Sequence, residues 1–84
     1  MAAVRQNAEG ETVRVVRPMN DHGAMTVEVE ERNATRHVVE YATPELESTL
    51  RALPAGTSIP LVLEPLGVRA NAWRAVEIRT PRPA

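Results

Sequence analysis

Between Thr43 and Leu53 the spacing of apolar residues changes, and that change constrains the fold more than anything else in the chain. In TPELESTLRAL, Leu46, Leu50 and Leu53 fall at i, i+4 and i+7, one stripe of a helix. Thr43 is a good N-cap and Pro44 suits the first helical position. Glu45 and Glu47 fall in the first turn and Arg51 near the other end, the signs the helix dipole favours. Pro54 and Gly56 end the segment. A helix of about ten residues is marginal alone, so its leucines must be held by a sheet.

Elsewhere the period is two. Thr12 to Arg17 (TVRVVR) places Val13 and Val15 on one face. After Pro18 and the turn formers Asn20, Asp21 and Gly23, Ala24 to Glu30 alternates Met25, Val27 and Val29 with Thr26, Glu28 and Glu30. One face of that strand is packed and the other wet, and the two runs make a hairpin. Glu31 to Thr35 turns. Arg36 to Tyr41 (RHVVEY) is a third strand with an apolar residue on each face, so its buried side is open. Ile59, Leu61 and Leu63 alternate with Pro60, Val62 and Glu64; Pro60 lacks an N–H, which predicts a sheet edge or a broken ladder there. Ala72 to Arg79 is the last strand.

The predicted fold is therefore mainly β, ordered β-β-β-α-β-β. With 84 residues the chain is one domain, read as residues 12–79 between a tail at 1–11 and a second at 80–84. There are no cysteines, which excludes disulfides, thiolate metal sites and a cysteine nucleophile. No apolar run approaches the roughly 20 residues that span a bilayer, and the start lacks a signal-peptide pattern, so a cytoplasmic protein without membrane contact is expected.

LPAGTSIPLVLEPLGVRANAWRAVEI carries a glycine before an alternating strand, then a turn and an alanine-rich final strand. That segment resembles the closing hairpin of TRAM-type barrels, and the element order resembles the OB-fold. The resemblance implies a small five-stranded antiparallel barrel with one short helix. The first strand has no glycine for a sharp bend, which leaves a curved antiparallel sheet with the helix across one face as the alternative. GVRANAWRAV and the absence of lysine also resemble small domains of halophilic archaea that carry no assigned function.

Catalytic and metal chemistry find little support. Asp21 and His22 share a turn but match no zinc spacing, and His37 has no evident partner, so solvated turn residues are the simpler account. Ser48 and Ser58 lie in no nucleophile-elbow pattern, and no glycine-rich phosphate loop occurs. Glu28, Glu30 and Glu31 read as a wet strand face. Asn33-Ala34-Thr35 matches a glycosylation acceptor but reads as a turn. No enzyme, cofactor or metal site is expected.

The heaviest constellation is Arg69, Trp73, Arg74 and Arg79. From Pro65 onward the chain has four arginines against the single acid Glu77. Regular alternation from Val68 would put Val68, Ala70, Ala72, Val76 and Ile78 inside. Trp73 would then stand outside beside Arg69, Asn71, Glu77 and Arg79, an aromatic–guanidinium platform of the kind that stacks bases. Arg74 would point inward, an unfavourable place. A β-bulge near Trp73 or Arg74 would shift the parity and put Trp73 in the core, and a chain with no phenylalanine gives that placement slightly more weight.

Two readings follow: a binding module for RNA or single-stranded DNA using Arg69, Trp73, Arg74 and Arg79, or a structural or protein-interaction domain, homodimeric through an exposed strand edge. The net charge of −1 counts against general nucleic-acid binding.

Overall fold

A computed structural model describes residues 11–67 and 71–79. The expected order appears as β1 (Glu11–Arg17), β2 (Met25–Val29), β3 (Ala34–Tyr41), α1 (Pro44–Arg51), β4 (Ser58–Pro65) and β5 (Ala72–Ile78). The five strands close into a barrel in the order β1-β2-β3-β5-β4, with β4 returning to pair with β1.

One expectation is corrected. The barrel is not wholly antiparallel, because β3 and β5 run parallel. Geometry requires this: five strands in a closed ring cannot alternate direction all the way round, so at least one neighbouring pair must run the same way. Closure also gives every strand a partner on both sides. The open edge along which a second copy would add a strand is thereby removed.

Bulges do the bending that glycines were expected to do. In β1, Val15 faces Val27 and Arg17 faces Thr26, so Val16 is an extra residue. Val39 is the extra residue of β3 against β5, and Val76 that of β5 against β4. An extra residue bends its strand and increases the twist. Each bulge is a valine, a residue whose backbone preference suits a strand. Val16 and Val39 stand exposed on the outer surface.

The alternation read from β1 and β2 holds. Val13, Val15, Met25, Val27 and Val29 are buried, joined by Val38, Leu61, Leu63 and Ala75. Pro60 is inside the sheet, paired with Thr12 of β1. Its carbonyl accepts from Arg79 N (2.9 Å), but it has no N–H to return. That missing donor is where β5 stops: Ile78 pairs with Leu61, and Arg79 lies beyond the strand.

The helix packs against β3 and β5. Thr43 is its N-cap, with Oγ1 accepting from Leu46 N at 3.1 Å, and Leu46 and Leu50 are buried. Asn33 adopts φ 53° in the β2–β3 turn, the left-handed conformation asparagine tolerates better than most residues.

Tyr41 fastens the β1–β2 turn to the barrel. Its hydroxyl donates to Gly23 O (2.7 Å) and approaches Val38 O at 3.2 Å. Gly23 has φ 81°, so a side chain there would be strained. Burial first, then the Glu47 carboxylate, push the Tyr41 hydroxyl up to about 12, against a partial opposing effect of Arg51. The unfolded chain loses this proton near 10 and the folded one near 12, so folding stability is at its full value below pH 10 and falls as pH rises through that window. The chain has one tyrosine, no cysteine and no lysine, so an alkaline absorbance titration isolates this group. Tyr41→Phe should melt lower than the parent at pH 8, and the gap should narrow from pH 10 to 12. A gap independent of pH would show that the hydroxyl is not held.

Candidate ligand surface at Trp73

The final strand decides where the candidate residues lie. Because the bulge falls at Val76, Ala75 is fully buried, and Trp73, two residues before it, turns inward on the same face. Beyond the bulge the parity shifts, and Ile78 packs against the core. The regular alternation that placed Ala72 and Val76 inside is thus corrected. The bulge that shifts the parity lies further along the strand than the expected place at Trp73 or Arg74.

Trp73 is half-buried, and three contacts orient it. The Arg36 guanidinium carbon lies 4.0 Å from the ring centroid, a cation–π stack. The indole Nε1 donates to Asn71 Oδ1 at 2.7 Å. Asn71 Nδ2 in turn donates to Thr35 O at 2.7 Å, capping a carbonyl where β3 runs past the start of β5. Val38 and Trp73 are register partners across the parallel pair.

Arg36 was not singled out by the sequence. It shares the inward parity of Ala34 and Val38, so its side chain is only 12% exposed. Glu11 has the inward parity of Val13 and Val15, and its Oε1 accepts from Arg36 at 2.9 Å. The other carboxylate oxygen faces Arg32 at 3.4 Å. The one available signal was a charged residue at every second position leading into an apolar run: Glu11 before Val13, Arg36 before Val38. Such residues end a barrel's interior, where a long side chain can pack its stem and keep its head near water.

Arg74 and Arg79 do not join this group. Arg74 points outward and is part of no core, which removes the inward arginine that regular alternation demanded. Its Nε and one terminal nitrogen donate to Glu64 Oε1 at 3.1 and 2.6 Å, and Glu40 lies 3.5 Å away. The hydrogen bond and charge of Glu64 push the guanidinium pKa further up. Arg79 donates to Glu77 at 2.9 and 2.7 Å. Arg69 lies outside the described residues. Of the three expected residues that are described, then, only Trp73 stands in the aromatic–guanidinium stack, and its partner is Arg36.

The histidines are apart from this surface. His37 Nδ1 lies 3.1 Å from Thr26 Oγ1, its register partner. His22 sits in the turn where Asn20 Oδ1 accepts from His22 N and Ala24 N. Among the described residues no group of three histidine, aspartate or glutamate side chains is arranged to hold a metal. No helix among them is long and apolar enough to cross a membrane.

Residues 1–79 match a family of unknown function, DUF7999. The chain belongs to that family. No curated protein and no solved structure is significantly similar to it. The distinctive geometry of this DUF7999 chain is a closed barrel with the Trp73–Arg36 stack where β3 meets the β4–β5 connection.

Proposed function

We propose that the domain is a non-enzymatic, cytoplasmic binding module for single-stranded nucleic acid, RNA or DNA. The ligand is taken at the Trp73 end of the barrel; Arg69 and Arg74, close to Trp73 in sequence, would meet the flanking nucleotides, and Arg79, beyond the far end of β5, only a longer strand. The observation that carries this is the position of the aromatic–guanidinium stack on this particular barrel. The strand order, the parallel β3–β5 pair and the helix between β3 and β4 support reading the barrel as OB-like. OB barrels bind oligonucleotides on the β2–β3 face and on the loops joining β1 to β2 and β4 to β5. Trp73, Asn71 and Arg36 gather beside β3 and that last loop. The lack of lysine fits a halophilic archaeal source.

The test is a titration of a labelled single-stranded oligonucleotide followed by anisotropy. Binding at low salt should weaken as salt rises, because phosphate contacts release counterions. Arg69→Ala should weaken binding and flatten the salt dependence. A wild-type domain that leaves the probe free at low salt ends the proposal.

A second reading, a structural or protein-interaction domain, draws on a different observation. Arg74 and Arg79 already have glutamate partners, and Val16 and Val39 stand exposed on the outer surface. Light scattering at high concentration addresses self-association, and a strictly monomeric species counts against it.

A further inference from the structure

The ion pairs among the described residues fall into five groups. Arg14 with Glu28, Arg51 with Glu47 and Arg79 with Glu77 are one-to-one. Arg74 faces two carboxylates, Glu64 and Glu40. Only one group has more arginine than acid: Arg32 and Arg36 share the single carboxylate of Glu11. That group is also the one that carries the tryptophan stack. Each Glu11 oxygen goes to a different guanidinium, as two oxygens of a phosphate would. Two neighbouring acids belong to the same turn as Arg32. Glu30 is engaged by Ser58 Oγ at 2.6 Å, and Glu31 is exposed. Neither is within ion-pair distance of the two arginines.

We propose that Arg32, Arg36 and Trp73 form an anion site for a phosphate group of the bound strand, and that Glu11 occupies it in the free protein. Binding exchanges the internal carboxylate for the ligand's phosphate while the adjacent base meets the indole. Arg36 is held in place beforehand by the ring, so its donors are already oriented. Arg32, with a side chain 55% exposed, is free to follow the incoming anion. The site deepens the nucleic-acid reading and rests on it for the identity of the ligand, not for the existence of an anion site.

Glu11→Gln and Arg32→Ala, each checked for folding by circular dichroism and a melt, are titrated with a single-stranded oligonucleotide and separately with inorganic pyrophosphate. Removing the competing charge in Glu11→Gln should tighten both probes roughly tenfold, the scale of a charge-assisted hydrogen bond. The oligonucleotide salt slope should stay near that of the parent, because the same phosphate is neutralised in both complexes. Arg32→Ala should weaken both probes and flatten that slope by about 0.7, one phosphate contact fewer. A carboxylate with a purely structural role would lower the melt and leave both affinities alone. Oligonucleotide binding unchanged in both variants overturns the site and leaves the nucleic-acid proposal standing on other contacts. Pyrophosphate binding that follows the expected order, with no oligonucleotide binding, upholds the anion site and overturns the nucleic-acid reading. If neither probe binds any of the three proteins, both fall. Should Glu11→Gln not fold, Arg32→Ala at its exposed position still decides the matter.

Discussion

Leu50→Ala should destabilise the domain by about 2–5 kcal/mol, the range for a buried leucine cut to alanine. Leu50 is fully buried, the deepest residue of α1. An eight-residue helix has little stability of its own, so α1 exists because Leu46 and Leu50 are packed on the barrel. The truncation leaves a void between helix and sheet that a closed barrel cannot collapse to fill. A small domain has roughly 5–15 kcal/mol in all, and each kcal/mol moves the melting midpoint of one this size by about 4–8 °C. A fall of about 10 °C or more is therefore expected, with the helical dichroism lost together with the sheet. Val16→Ala, at a bulge residue 43% exposed, should change stability by no more than about 0.5 kcal/mol. If the two variants melted alike, α1 would not be seated where the leucine stripe puts it.

Trp73→Ala should be the second large effect, acting on stability and on binding together. The ring packs against the core, and its loss removes the largest side chain at that end of the barrel. It also leaves the Arg36 guanidinium, mostly buried, with Glu11 alone, and Asn71 without the indole N–H. Full truncation of a buried aromatic costs about 3–5 kcal/mol; for a half-buried ring a loss of roughly 2–3 kcal/mol is expected in urea denaturation. Trp73→Phe should recover most of the packing and part of the cation–π contact, but not the hydrogen bond to Asn71. On binding, the alanine variant should lose the stacked base, about 1–3 kcal/mol. An alanine variant as stable as the parent would mean that the ring is not packed inward.

Much of the frame was legible locally. Thr43, Pro44 and the leucine stripe carry the helix because capping and a 3.6-residue period act within about ten residues. Val13, Val15, Met25, Val27 and Val29 were legible as core because alternation on β1 and β2 is unbroken up to the bulge at Val16. The candidate site was legible only as a tryptophan among arginines. Arg36 and Glu11 escaped notice because they lie about 40 and 60 positions from Trp73 in the chain, and nothing local marks them as its neighbours. Arg74 and Arg79 looked like a basic patch because their partners were not all in view. Glu77 is two residues from Arg79, but Glu64 and Glu40 reach Arg74 from β4 and β3.

By itself, then, the sequence determined the order of elements, the helix with its cap, and the inward face of the first hairpin. Tertiary structure alone decided three things. Closure of five strands required the parallel β3–β5 pair. The bulges at Val16, Val39 and Val76 arose from matching each strand to neighbours far away in the chain. The bulge at Val76, in turn, settled the final strand: Ala75 and Ile78 can both face the core only if the alternation skips a residue between them. A period of two says which residues share a face while the ladder is regular. It cannot say where the ladder slips, because that is set by the hydrogen bonds of the strand opposite. At Trp73 that difference separates a platform standing in solvent from a ring folded inward and stacked on Arg36.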